Sequence, residues 1–304
     1  MRLDDFDPNI EASAQRGGSG GFGGGGGGMG GLLVGLLPMI GSRFGCGGIV
    51  VALLLLAVFG GLGNLGSLVS GVTGGGTAPV AQQPGGETKS NAVSVCTSDP
   101  ARRATCNAFT SAQKTWEGIF AQRGQTLDPP QLVFFDGSGQ SGCGAASAAT
   151  GPFYCPPDQG VYLDTDFFDE LATRFGAQGD FAQYYVVAHE FGHHIQSLTG
   201  ASERVQQIQR GGSRAEGNAA SVRLELQADC YAGLWAGKNR DRLEPGDLEE
   251  GLTAASAIGD DKLTQGRASP ESFTHGTSEQ RMRWLRRGLE TADPAQCDTF
   301  SGAI

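Results

Sequence analysis

The chain has 304 residues, 39% hydrophobic and 18% charged, with a formal net charge of −10. That length allows one sizeable domain with appendages. An acidic balance without a basic cluster argues against a nucleic-acid reader, whose affinity rests largely on neutralising phosphates. Residues 1–45 contain GGSGGFGGGGGGMGG, Gly17 to Gly31. Glycine-rich chain behaves as flexible coil and buries too little surface to fold, so 1–45 is expected to be a disordered segment. A phosphate-cradling loop would need a flanking strand and helix and usually a lysine, and none is present.

Residues 46–68 open with CGGIVVALLLLAVFGGLGNLG and carry no charge. About 20 such residues cross a bilayer as one helix. The run is too long, and starts too late, for a cleaved signal peptide. Arg43 abuts its start and the next basic residue is Lys89. That asymmetry predicts a single crossing with the N-terminus in the cytoplasm and the rest outside. Residues 69–93, with GVTGGGTAPVAQQPGGETKSN, read as a flexible linker. The folded domain is expected over 94–304.

Within it, ATCNAFTSAQKTWEGIFAQRG reads as a helix and QLVFF as a strand. PFYC and GVYLD, separated by PPDQ, read as a hairpin, with Gly160 to Asp164 either an edge strand able to hold an extended substrate or a strand that only closes the small sheet. DFFDELATRFG reads as a helix stopped by Gly176, and FAQYYVVAHEFGHHIQSLTG as a longer one ending at Gly200. NAASVRLELQADCYAGLWAGK, EPGDLEEGLTAASAIGD and TSEQRMRWLRRGLETA are also helical. The fold class is α+β, mainly α, with a small sheet.

Of seven cysteines, Cys46 falls at the apolar run, with no lipoprotein-like apolar stretch before it, and six lie beyond. An even number in an exported domain predicts disulfides. Six allow 15 pairings. Proximity favours Cys96 with Cys106 and Cys143 with Cys155, leaving Cys230 with Cys297. Zinc-finger use is disfavoured because no C-x-x-C pair exists.

Three of the four histidines sit in VVAHEFGHHIQSL, residues 186–198. Val187, Phe191, Ile195 and Leu198 share one apolar helix face. His189 and His193, four apart, project from another. This is H-E-x-x-H, in which two imidazoles bind zinc and Glu190 takes a proton from the attacking water. His194 is rotated about 100° from His193 and reads as a packing or hydrogen-bonding residue. A catalytic zinc needs a third protein ligand. A metzincin would have Gly at 196 and His at 199; Gln196 and Thr199 exclude that class. RLELQADCYAG offers Glu225 and Asp229, four apart. They read as a metal ligand and as the acceptor for a ligand histidine's second nitrogen, against the alternative of a solvated helix face. The remaining histidine, His275, lies just before a helix that Thr277 and Gln280 can start as a capping box. It is a candidate for stabilising a developing oxyanion.

Together, GCGAASAATGPFYCPPDQGVYLDTDFFDEL, FAQYYVVAHEFGHHIQ, RLELQADCYAGLWA, AIGDDKL and HGTSEQRMRWLRRGLETADPAQCDTF resemble the membrane-anchored bacterial neutral zinc metallopeptidases. The resemblance covers most of residues 130–300. It implies a zincin-like, gluzincin-like peptidase with His189, His193 and Glu225 as ligands and Glu190 as catalytic base. The combined expectation is a zinc endopeptidase with one Zn2+ per chain and peptide or protein substrates. It is expected at the bacterial inner membrane on one transmembrane helix, with its catalytic domain extracytoplasmic and no nucleic-acid partner. The alternative is a non-proteolytic envelope binding or assembly protein with a structural zinc site.

Overall fold

The computed structural model describes residues 1–4, 6–15 and 92–304. The expected membrane span, 46–68, and the linker up to residue 91 lie outside the described residues. No helix among those described is long and apolar enough to cross a membrane.

The described chain is mainly helical with two small sheets. Strand β1 (Ala12–Gln15) precedes helices α1 (Ala92–Cys96) and α2 (Pro100–Gln122). Then come β2 (Gln131–Phe135), β3 (Ser138–Ser141), β4 (Gly144–Ser147), β5 (Phe153–Cys155) and β6 (Gly160–Leu163). The C-terminal half is helical: α3 (Asp166–Thr173), α4 (Asp180–Leu198), α5 (Ala201–Gly211), α6 (Arg214–Lys238), α7 (Asp247–Ala257), α8 (Asp260–Leu263) and α9 (Ser278–Thr291).

The main sheet has the order β1-β2-β6-β5. The β1/β2 and β2/β6 pairs are parallel, and β5/β6 is the expected antiparallel hairpin. Alternate side chains of QLVFF enter two cores. Leu132 and Phe134 join the helical core with Val161 and Leu163, while Val133 and Phe135 pack with Phe153, Tyr162 and Ala146. A strand covered on both faces reads as an unbroken apolar run. The same topology corrects one expectation. Gly160 to Leu163 is not an edge, because it pairs with β2 on one side and β5 on the other. Among the described strands the edges are β1 and β5.

A second correction concerns the N-terminus. Residues 1–15 were expected in the disordered segment, and the domain was expected to begin at 94. Instead β1 extends the main sheet in register, with Ala12 opposite Leu132 and Gln15 opposite Phe135. Met1, Leu3, Ile10 and Ala12 are buried in the principal core. The glycine tract starts only after these residues, so its composition says nothing about them. Among the described residues, the next element after β1 starts at Ala92.

Helix ends follow local chemistry. Asp99 caps α2 by accepting from the Arg102 N–H, with Pro100 at the first helical position. Ser213 with Glu216 and Thr277 with Gln280 form capping boxes on α6 and α9. Gly176, at φ 70°, turns the chain after α3.

The three expected disulfides are present: Cys96–Cys106, Cys143–Cys155 and Cys230–Cys297. The last ties the centre of α6 to the C-terminal segment across 67 residues. On the chain-entropy scale a loop of that size is worth about 4 kcal/mol. The Cys230→Ser/Cys297→Ser protein is therefore expected to lose about that much unfolding free energy in a denaturant titration. Thiol counting on the unreduced, denatured parent should find Cys46 alone.

Candidate metal centre

The site is built where α4 crosses α6. A Cβ on Gly192 would sit only 3.3 Å from the backbone of Ala228 and from Tyr231. The two helices can approach because position 192 has no side chain. His189, one turn before His193, then faces Glu225 and Asp229.

His189 Nε2 lies 3.2 Å from Glu225 Oε2, and His193 Nε2 lies 3.5 Å from Glu225 Oε1. One donor atom from each residue falls within 4.8 Å of the others. Donors 2.0–2.2 Å from one tetrahedral metal stand about 3.3–3.6 Å apart. Two imidazoles and a carboxylate at this spacing therefore fit a divalent metal of the zinc kind, with a coordination position left over.

Each histidine is turned by its other nitrogen. His189 Nδ1 lies 2.9 Å from Asp229 Oδ1, and His193 Nδ1 lies 2.8 Å from Gln196 Oε1. An N–H donated at each Nδ1 leaves each Nε2 lone pair for a metal. Gln196 is itself held, since its amide donates to the Leu224 carbonyl and the Gln227 side chain. The residue whose identity excludes a metzincin thus orients the second histidine.

Asp229 has no exposed surface. Its Oδ1 accepts from the Tyr185 hydroxyl at 2.6 Å and from Arg281 Nη2 at 2.8 Å, and its Oδ2 accepts from Arg281 Nε at 2.9 Å. Burial opposes its charge, but the Arg281 guanidinium and His189 outweigh burial and hold its carboxyl below the usual range. Glu225 behaves alike. Burial raises it, yet the charges of His193 and His275, with the hydrogen bond from His189, bring it well below. Burial disfavours a charged His189, but the hydrogen bonds to Asp229 and Glu225 prevail and raise it to about 9 without a metal. The solvated-face alternative for Glu225 and Asp229 is thereby excluded.

Glu190 is 8% exposed, and no hydrogen bond or ion pair among the described residues engages its carboxylate. His275 is buried within electrostatic reach of Glu225. Its Nδ1 stands 3.0 Å from Thr274 Oγ1 and 3.4 Å from Asp260 Oδ1. Asp260 Oδ2 gathers the backbone N–H groups of Thr274, His275 and Gly276 at 2.6–3.0 Å, fixing the loop. Gly276, at φ 86°, lets that loop press against Val222 and Leu226 of α6. His194 is structural, with Nε2 2.7 Å from the Asp128 carbonyl and Nδ1 3.1 Å from the Tyr154 hydroxyl.

A family model described as "Putative neutral zinc metallopeptidase" matches residues 5–300. The chain belongs to this family. The Escherichia coli K12 "Uncharacterized protein YpfJ" is 49% identical over 211 residues, 68% of this chain and 74% of that protein. The Mycobacterium tuberculosis H37Rv "Uncharacterized protein Rv2575" is 47% identical over 190 residues, 57% of this chain and 63% of that protein. No solved structure matches.

Tyr185, Gln196, Asp260 and Arg281 were not singled out from the sequence as parts of the site. Arg281 reaches Asp229 across 52 residues and Asp260 reaches the His275 backbone across 15, so no helical spacing links them. Glu225→Ala is expected to leave the purified protein with far less than one zinc per chain by elemental analysis. Asp229→Asn should weaken zinc binding by about 10–100-fold in chelator competition.

Proposed function

We propose that this chain is a zinc-dependent endopeptidase with a zincin-like active site. The observation that supports this reading most is the buried, unengaged Glu190 carboxylate, next in the chain to His189 of a three-donor cluster that could hold a metal. A purely structural metal site would have no use for it. A zinc ion held by His189, His193 and Glu225 would supply Lewis-acid chemistry and bring a bound water's pKa to about 7. Glu190 takes the proton of the attacking water and passes it to the leaving amine. Asp229, fixed by Arg281 and Tyr185, keeps the His189 ring in one tautomer through both proton movements. His275 donates to the oxygen on which charge develops, and Asp260 holds its loop in place. The substrate is a peptide or protein. The edge strand β5, bonded to the metal helix through Tyr154 and His194, offers a place for an extended chain to add. The domain acts outside the cytoplasm, where its disulfides form, tethered to a bacterial membrane by residues 46–68.

Glu190→Gln should keep one zinc per chain and the parent circular-dichroism spectrum while casein hydrolysis falls to background. Equal hydrolysis by the two proteins would sink the peptidase reading. His275→Ala should retain zinc and fold, lower kcat by about 100-fold and leave KM nearly unchanged. An unaltered kcat would remove His275 from the catalytic set.

A further inference from the structure

Residues 1–15 are part of the metal-site domain by every measure the fold offers. β1 lies against β2 as a parallel strand over four residue pairs, and the Leu132 N–H donates to the Glu11 carbonyl at 2.8 Å. The Asn107 side-chain amide donates to the Leu3 carbonyl at 2.5 Å, and the Asp7 N–H to Thr110 Oγ1 at 3.0 Å, both on α2. The Arg2 N–H donates to the Arg242 carbonyl at 2.9 Å. Leu3 and Ile10 are 6% and 5% exposed within the principal core. Without this segment the edge of β2 would lose its ladder partners and the core would open at α2.

The uncharged run 46–68 lies in the chain between β1 and β2. A single crossing there would put β1 and β2 on opposite faces of a hydrocarbon layer about 30 Å thick. Paired strands stand about 4.8 Å apart. The two arrangements exclude each other. The charge asymmetry favouring a single crossing rests on one close residue, Arg43. The strand pairing rests on a ladder, three further hydrogen bonds and a buried apolar set. The fold is the stronger constraint.

We infer that residues 1–15 and 92–304 share one compartment, the oxidising one in which the three disulfides form, so that any membrane attachment made between them enters and leaves by the same face. This replaces the cytoplasmic N-terminus expected from the charge pattern. It holds whether or not the domain cleaves peptides.

Site-directed thiol labelling of the full chain in intact cells tests this. Cys46→Ser removes the one cysteine outside the disulfides. Asn9→Cys or Glu11→Cys then reports on the N-terminal segment, and Gln125→Cys on the domain, all three positions being exposed. A membrane-impermeant maleimide should label all three variants in intact cells to the extent reached after permeabilisation. The inference is overturned if Gln125→Cys labels in intact cells while Asn9→Cys and Glu11→Cys require permeabilisation, or if all three require it. Retention of the three native disulfides, read by mass mapping of each variant, establishes that the labelled chains are folded.

Discussion

The buried carboxylate of Asp229 is the interaction on which the site depends. An isolated charge with no exposed surface costs several kcal/mol, and only excellent geometry with satisfied lone pairs offsets it. Here Arg281 grips both oxygens and Tyr185 and His189 share one of them. Taking away one partner of such a buried pair costs about 3–5 kcal/mol, because the other is left uncompensated. The cluster therefore joins stability to function. Whatever keeps Asp229 ionised also keeps the His189 ring turned toward Glu225 and His193.

That arrangement requires three helices to approach more closely than ordinary side chains allow. A Cβ on Gly288 would overlap the Cys230 carbonyl, and one on Gly233 the Leu285 carbonyl, so α9 lies directly on α6. Between α4 and α6 the fit at Gly192 is tight without overlap, a Cβ there lying 3.3 Å from Ala228. Glycine in a helix interior costs roughly 1 kcal/mol relative to alanine. At these positions the cost is offset by contacts no larger residue permits. The result carries Arg281 from α9 into the interior beside α6. The Cys230–Cys297 bridge, one residue from Asp229, and the bond from Gln227 to the Cys297 carbonyl close the C-terminal segment over the same helix.

The sheet serves the site from the other side. The hairpin β5–β6 positions Tyr154 against His194, and His194 also bonds the Asp128 carbonyl just before β2. The helix that carries His189 and His193 is thus fastened to the sheet by the neighbouring His194, which bonds Tyr154 and Asp128. The N-terminal strand completes that sheet, so the segment most distant in the chain from the metal residues supports the platform behind them.

Local rules made much of this legible from sequence. The i,i+4 spacing of His189 with His193 and of Glu225 with Asp229 follows from the helical period. The capping box of Thr277 with Gln280 depends on residues three apart. The short disulfides followed from proximity and the long one from what remained. Tertiary structure decided everything that depends on which distant segments meet. Arg281 reads as one of several arginines on an amphipathic helix until α9 docks through Gly288. Gln196 reads only as a departure from the metzincin glycine until its oxygen meets His193. Gly160 to Leu163 reads as an edge strand until β2 claims its other side. Residues 1–15 look like the start of a glycine-rich tail because nothing within fifteen residues can supply a partner for a lone strand. That partner, β2, lies more than a hundred residues away, and only the folded chain brings the two together.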